Sequence, residues 1–220
     1  MFTKYFIFAL LIIGVHSRYI LLEEPLFLDE EVESPRVRRQ ASGAVSAGSD
    51  GSVSLNMKQP LAGNGDRQLS AIGSVSSKST AGGFMLENAK GQSVSMMKEH
   101  IPEYGDRLRL DGSTNLLKSG NHELNANGFV ARTMPKPEFH TPDHNTFGGG
   151  LDYTYKDKIG AGISAARTNM FDQTDVSAFG RYNLMKTPSH SLDFTAGASR
   201  SFSPHFSSSW TPYTGLTYRF

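Results

Sequence analysis

Cysteine is absent from all 220 residues, so no disulfide frame, thiol nucleophile or thiolate metal site can exist and packing and hydrogen bonds must hold the fold. No Asn-x-Ser/Thr sequon occurs, which removes N-glycosylation. No polybasic block or arginine-rich arm is present, and 22 basic against 21 acidic residues leave a formal charge of +1, too little to drive tight nucleic-acid binding. The apolar run Tyr5 through Val15 has only about half of the roughly 20 residues that a membrane-spanning helix needs. Long helical periodicity is missing as well.

What the amino terminus does contain is a sorting and processing pattern. Lys4 supplies a basic n-region, the apolar run follows, and Val15-His16-Ser17 offers small side chains at the positions a signal peptidase reads, which places cleavage between Ser17 and Arg18. Residues 18–39 form an acidic segment ending in Arg36-Val37-Arg38-Arg39. That tetrad fits Arg-x-Lys/Arg-Arg, the pattern of acidic-cleft proprotein convertases, in which successive guanidiniums pair with carboxylates of the protease groove. The expected new terminus is Gln40. The 39 residues before it carry 5 basic and 6 acidic groups, so the mature 181 residues (220 minus 39) hold 17 basic and 15 acidic groups, a formal +2. Such mild basicity favours an anionic surface without securing tight binding to one.

From Gln40 onward the chain is rich in Gly, Ser, Asn and Ala, and apolar residues recur at every second position. Leu151-Tyr153-Tyr155, Ile159-Ala161-Ile163-Ala165, Leu192-Phe194-Ala196-Ala198 and Leu216-Tyr218-Phe220 each put one apolar face against a polar or small one, the periodicity of strands. Asp50-Gly51, Asn64-Gly65, Asp111-Gly112, Asn127-Gly128 and Lys156-Asp157-Lys158 are of the types that accept hairpin turns or bulges. Pro135, Pro137 and Pro142 mark a loop, and Pro60 and Pro102 mark further breaks. The expected fold is all-β, an antiparallel meander closed into a small barrel or a sandwich, because a long open edge would invite self-association. A soft boundary near residue 105 divides 40–105 from 106–220. Internal similarity points to a repeated unit: His122-x-Leu124 with Arg132-Thr133-Met134 recurs as His190-x-Leu192 with Arg200-Ser201-Phe202, and Gly150-Leu151-x-Tyr153 recurs as Gly215-Leu216-x-Tyr218. A fainter third copy runs through Leu69 and Gly73-Ser74-Val75-Ser76.

Candidate chemistry is sparse. Gly160-x-Gly162-x-x-Ala165 fits a dinucleotide-binding pattern on paper, but alternating apolar residues run straight through it and no helix follows, so it reads as strand. His140 and His144 have the four-residue spacing of two ligands on a helical face, with Asp143 beside them; Pro142 between them favours ordinary loop histidines. No nucleophile elbow occurs, so no catalytic, cofactor or metal residue is assigned. Trp210, with Phe206, Tyr213, Tyr218 and Phe220, is expected to form a hydrophobic core closing the last strands, with a place at a membrane interface as the alternative.

Three strings carry a family resemblance: Phe147-Gly-Gly-Gly-Leu-Asp-Tyr-Thr-Tyr-Lys-Asp-Lys-Ile-Gly160, Leu192-Asp-Phe-Thr-Ala-Gly197 and Ser208-Ser-Trp-Thr-Pro-Tyr-Thr-Gly-Leu-Thr-Tyr-Arg-Phe220. With the order signal, acidic propeptide, Arg-x-Arg-Arg site and glycine-rich regions, the whole chain resembles an insect attacin. The resemblance implies a secreted, haemolymph-borne antibacterial protein with no enzymatic activity and no cofactor. It further implies action on Gram-negative bacteria, with lipopolysaccharide and the outer membrane as partners and a proprotein convertase acting in maturation. Only the cleavage site, Arg36, Val37, Arg38, Arg39 and Gln40, transfers position by position. An outer-membrane barrel protein is the first rival, because its strands alternate in the same way and Tyr218-Arg219-Phe220 suits its terminus; it gives no reason for a convertase site. An extracellular structural protein is the second, weakened by the absence of short tandem repeats. Mass spectrometry of the secreted protein is expected to find Gln40, or its pyroglutamate form, at the amino terminus; an intact Arg39-Gln40 bond would remove the processing claim.

Overall fold

The computed structural model describes residues 41–204 and 206–220. The signal-cleavage pair Ser17 and Arg18 and the convertase-site residues Arg36, Arg38, Arg39 and Gln40 lie outside the described residues. The rest is strand and turn. In chain order the strands are β1 (Ser42–Gly48), β2 (Val53–Gly63), β3 (Arg67–Ser76), β4 (Thr80–Asn88), β5 (Ser93–Ile101), β6 (Gly105–Ser119) and β7 (His122–Pro135). They continue as β8 (His144–Tyr155), β9 (Ile159–Thr168), β10 (Gln173–Lys186), β11 (Ser191–Ser203), the two-residue β12 (Phe206–Ser207) and β13 (Thr211–Arg219).

Each strand pairs antiparallel with the next from β1 to β11. β13 then lies between β11 and β1 and closes the circle, while β12 folds back on the end of β11. Twelve strands, all thirteen less β12, therefore make a closed barrel. Closure leaves no unpaired ladder edge, which answers the aggregation hazard of a long meander. The seam is fastened at its last register, where Gly43 N–H donates to Phe220 O (2.9 Å) and Phe220 N–H donates to Gly43 O (3.0 Å). Of the two architectures expected from the sequence, the barrel is the one formed. The ladder runs through residue 105 without a break, since β5 and β6 pair from Ser93↔Ser113 to Ile101↔Gly105.

The alternation in the sequence becomes a division between two faces. On β9, Ile159, Ala161, Ile163 and Ala165 point outward while Gly160 and Gly162 are buried within. On β4, Phe84 and Leu86 face out and Gly83, Met85 and Glu87 face in. The partition is inverted relative to a water-soluble barrel, with apolar residues outside and polar ones inside. Among the described residues the buried positions other than glycines are Ser70, Ser95, Thr133, Asp193 and, as the one apolar side chain, Ala131. Cross-strand hydroxyl pairs line the interior: Ser93–Ser113 (2.8 Å), Ser164–Ser177 (2.7 Å), Thr146–Thr168 (2.9 Å) and Ser46–Thr217 (3.0 Å). Such pairs stabilise a sheet by about 0.2–1 kcal/mol each.

Glycine serves the interior in a specific way. Three inward aromatic rings each sit directly opposite a glycine on the neighbouring strand: Phe129 opposite Gly148, Phe179 opposite Gly162 and Tyr213 opposite Gly197. A Cβ at Gly162 would lie 2.5 Å from Phe179 Cζ and 2.6 Å from Asp152 Oδ1, and one at Gly197 would lie 2.7 Å from Tyr213 Cζ. The rings cover the bare backbone of the glycines, the arrangement by which aromatics support glycines in sheets.

Local expectations meet mixed outcomes. Gly51 has the positive φ of a turn, as do Lys156 and Asp157, and Asn64-Gly65 lies between β2 and β3. Asp111-Gly112 and Asn127-Gly128 are neither turns nor bulges; they lie inside β6 and β7, paired Gly112↔Gly128, with the polar member facing in and the glycine out. Pro60 is at a bulge between Pro60 and Ala62, where its missing donor costs no ladder bond. The carboxy-terminal aromatics depart from the expected core: Trp210, Tyr218 and Phe220 are exposed, while Tyr213 faces in. A barrel whose inside is polar has no hydrophobic centre for them to fill.

The internal repeat corresponds to a repeated pair of strands. His122 and Leu124 on β7 face β8 with Leu124↔Tyr153 in register, and His190 and Leu192 face β13 with Leu192↔Tyr218 in register. In both copies the histidine Nδ1 and the tyrosine hydroxyl share a hydrogen bond, 2.5 Å for His122–Tyr153 and 3.0 Å for His190–Tyr218.

Two substitutions separate glycines the packing requires from those it does not. Gly162→Ala is expected to destabilise the barrel by about 1–3 kcal/mol through overpacking against Phe179. Gly82→Ala, where nothing lies within 4 Å of the added carbon on the outer face, should be neutral or slightly stabilising. Thermal or urea unfolding in detergent micelles reads both.

Candidate functional site

Among the described residues the chemistry lies in an outer belt and an inner lumen. Every barrel strand except the short β1 places at least one large apolar side chain outward and exposed, for example Val94 on β5, Leu110 on β6, Val130 on β7 and Ile163 on β9. Ile163 is 59% exposed and Val130 56%. Soluble monomers rarely leave contiguous apolar surface of more than a few hundred Å² in water. A band that encircles the whole barrel needs a matching apolar medium.

The rims of the belt are aromatic and basic. At the rim that carries both ends of the barrel sequence, the turns are short, and Tyr153, Tyr155, Tyr182 and Tyr218 gather with His122 and His190. Lys156 Nζ lies over the Tyr155 ring at 5.2 Å and Lys158 Nζ over the Tyr182 ring at 5.5 Å. The opposite rim carries the longer connections, with Trp210 and Phe139 exposed and Phe139 packed on Tyr104 at 5.4 Å between centroids. Amphipathic rings with lysines around them suit the level of lipid headgroups, one end apolar and the other wet. Asp50, in the β1–β2 turn of that rim, has its pKa held below the usual carboxylate range, first by the Ser52 hydroxyl and then by the Ser52 amide. The turn therefore keeps this contact as the medium turns mildly acidic and loses it only when pH falls through that lowered value.

The lumen is charged and internally compensated. Lys58 pairs with Glu87 (2.5 Å), Arg107 with Glu99 (3.4 Å), Arg109 with Asp111 (2.6 Å) and Arg219 with Asp193. Arg109 also lies over the Phe129 ring at 3.9 Å. Other inward carboxylates are held by neutral donors: Glu123 by Asn115 and Asn125, Asp152 by Asn127, and Asp175 by Gln173 and Ser201. Glu99 retains 25% of its side-chain surface, Arg107 37% and Arg109 40%, so the lumen admits water instead of being filled by side chains.

The residues weighed in the sequence fall in separate places. Gly160, Gly162 and Ala165 are part of β9, as read from the alternation. His140 and His144 turn Nδ1 to the local carbonyl oxygens of Glu138 (3.1 Å) and Pro142 (3.3 Å), and Asp143 pairs with Arg132 at 2.9 Å. The loop holding them contains a short 3-10 turn, Pro137–Phe139, and not an α-helix. The inward charges were missed from the sequence, although the signal was present: Arg107, Arg109 and Asp111 alternate with Leu108 and Leu110, and the charged set belongs to the inside.

The arrangement defines a class: a closed antiparallel barrel with an apolar exterior and a polar interior, the design of barrels that sit in lipid. Among solved structures it is similar to an outer membrane channel from Pseudomonas putida F1, with TM-score 0.63 and 8% identity, covering 88% of this chain and 99% of that one; at such identity the likeness concerns the fold alone. The chain itself belongs to the attacin family. The family described as attacin, C-terminal region, matches residues 102–220. Defense protein 3 of Lonomia obliqua is 41% identical over 99% of this chain and 98% of its own length, and Attacin-B of Hyalophora cecropia is 40% identical over the same shares. The protein is thus a member of an insect family of antibacterial defence proteins.

Asp193 is the most buried inward charge, its side chain 5% exposed, accepting from Arg219 and from Asn183 at 2.8 Å. Arg219→Gln is expected to cost about 1–3 kcal/mol, because the carboxylate stays buried with one donor fewer. Lys186→Gln, which breaks the rim pair with Asp157 whose side chains are 56% and 65% exposed, should change the midpoint of unfolding by less than about 1 kcal/mol.

Proposed function

We propose that the mature chain is secreted, meets the outer membrane of Gram-negative bacteria, and kills by entering and perturbing that bilayer, without catalysing a reaction. The observation that carries this reading is the inverted partition of the barrel: an apolar belt on all sides with a polar, water-admitting interior. Only helices and closed barrels can satisfy every backbone donor and acceptor in hydrocarbon, and no helix among the described residues is long and apolar enough to cross a membrane. The strands suit the task. Eleven of the twelve have 9 to 15 residues, against the roughly 9–11 a tilted transmembrane strand needs.

Anionic lipid, lipopolysaccharide above all, supplies the partner chemistry. Lys156 and Lys158 at one rim and Lys78 and Lys136 at the other sit where headgroup phosphates would meet them, while the outward residues between them meet acyl chains. A secreted protein with this exterior cannot persist as an open barrel in water. The mature chain is therefore loosely folded in solution and orders as β structure on the lipid surface, the acidic propeptide having masked its basic side chains before cleavage. Glycine abundance, 21 of 181 mature residues, raises the conformational entropy that ordering must overcome and keeps the chain uncommitted until lipid is available.

Growth inhibition by the mature form is expected against Gram-negative cells and not Gram-positive ones, with the uncleaved form weaker. Ile163→Arg, near the middle of β9, should weaken lipid binding by about 2–4 kcal/mol and inhibition with it, whereas Ser164→Ala on the lumen face should leave both in place. Circular dichroism that is unchanged by lipopolysaccharide micelles, or full activity of Ile163→Arg, would overturn the reading.

A further inference from the structure

We propose that the inserted barrel is itself an ion-conducting pore, lined by surplus carboxylates and therefore preferring cations. The inference rests on the bilayer reading above and adds an activity to it: the lumen, and not only the disturbed lipid around it, carries ions.

Size comes first. A barrel of eight strands has an interior just filled by side chains, and one of sixteen encloses an aqueous channel. Twelve strands lie between, so residue choice decides whether the interior is closed. Here the inward positions are dominated by Gly, Ser, Thr and Asn, and the rows of hydroxyl pairs stay close to the wall. The larger inward rings, Phe129, Phe179 and Tyr213, lie against glycines of the neighbouring strands, which draws them toward the wall and away from the axis. Inward Arg and Glu side chains remain a quarter to two-fifths exposed although they face the interior. At the rim that carries both ends of the barrel sequence, a polar cavity of about 250 Å³ opens among Glu123, Thr154, Arg181, Asp193 and Arg219. At the other rim a cavity of about 600 Å³ lies among β1, the β1–β2 turn, β2, β11 and β13, with Ser46, Ser52, Thr195 and Thr217 beside Asp50 and Tyr213 in its lining.

Charge sets the preference. Lys58, Arg107, Arg109 and Arg219 each have an inward carboxylate partner and cancel in pairs. What remains is Glu123, Asp152 and Asp175, held by amides and hydroxyls, against Arg181, whose guanidinium donates to Thr154 (3.2 Å), and Lys118, which stands opposite Glu123 in the β6–β7 register, so three carboxylates face two cations. Carboxylates held by neutral donors are not locked into an ion pair, and acidic linings select cations. Arg107–Glu99 and Arg219–Asp193 join neighbouring strands, Arg109–Asp111 lies along β6, and Lys58–Glu87 reaches from β2 to β4 across β3.

The test uses the mature protein, residues 40–220, with planar bilayers and liposomes of phosphatidylethanolamine and phosphatidylglycerol. Flotation of protein with the liposomes reads insertion separately from conduction. The expected result is stepwise current and, across a KCl gradient, a reversal potential that gives a K⁺/Cl⁻ permeability ratio above unity. Glu123→Gln combined with Asp152→Asn should bring the ratio to unity or below, and Arg181→Gln alone should raise it, so the proposal does not depend on one variant folding. Protein that floats with liposomes but passes no current above the protein-free bilayer overturns the pore and leaves the bilayer reading standing. Protein that does not float overturns both. Current whose selectivity ignores all three substitutions shows leakage around the barrel and also overturns the pore.

Discussion

Everything in this structure depends on closing the backbone ladder. A chain with no cysteine and, among the described residues, no long helix and very few buried apolar side chains cannot be held by a core. What it can do is pair every strand with two neighbours until the last meets the first. β13 meeting β1 is that event, fastened at its end by the reciprocal bonds of Gly43 and Phe220. Once the edge is gone, the two faces are topologically separate, and the chain is free to assign them opposite solvents. Alternation then does the rest, since a period of two sends each neighbour to the other side.

The glycines belong to the same constraint. Where two strands must run close and an inward ring must be accommodated, the opposite residue has no side chain, as at Gly148, Gly162 and Gly197. The ring shields backbone that would otherwise be bare, and the lumen stays open because the ring lies along the wall. On the outside, Gly112, Gly128 and Gly149 stand in register on adjacent strands with no ring opposite them; a Cβ at Gly112 or Gly128 would make only ordinary contact, whereas one at Gly149 would lie 2.7 Å from Asn127 O. Their effect is to make the belt locally thinner between β6 and β8. Glycine thus has two roles in one chain, distinguished by which face it occupies and not by its frequency.

Strand identity was legible in the sequence wherever apolar residues alternated over several positions, as at Ile159-Ala161-Ile163-Ala165, and the internal repeat was legible because His, Leu and Tyr kept their order. The direction of the alternation was not. A pattern of apolar and polar residues says that two faces differ without saying which faces the axis, and the expectation of a core around Trp210 and Tyr218 assumed that oil goes inside. The inward charges could have decided it: Lys58, Arg107, Arg109 and Asp111 all fall on the polar parity of their strands, and so many charges cannot converge on a dry centre. Turn chemistry was read correctly at Asp50-Gly51 and Lys156-Asp157-Lys158. It failed at Asp111-Gly112 and Asn127-Gly128, because a polar residue beside a glycine is also what a strand looks like when its inner face is wet and its outer face is shallow.

Under the proposed function, the same inversion accounts for delivery in an uncommitted form: a barrel with its apolar surface outward is unfavourable in water, so its folding would be deferred until a bilayer is at hand. Deferral needs a chain that does not commit early: few bulky residues to collapse upon, many small ones, and long-range strand pairs in place of local helices. The contact between β1 and β13, at opposite ends of the mature sequence, is the last that a growing meander can make, and it carries the largest loop-closure cost. Lipid lowers that cost by aligning strands in one plane and by making every unpaired edge expensive. Under the proposed function the bilayer takes part in folding as well as being the target, and the barrel completes only where its apolar belt is covered.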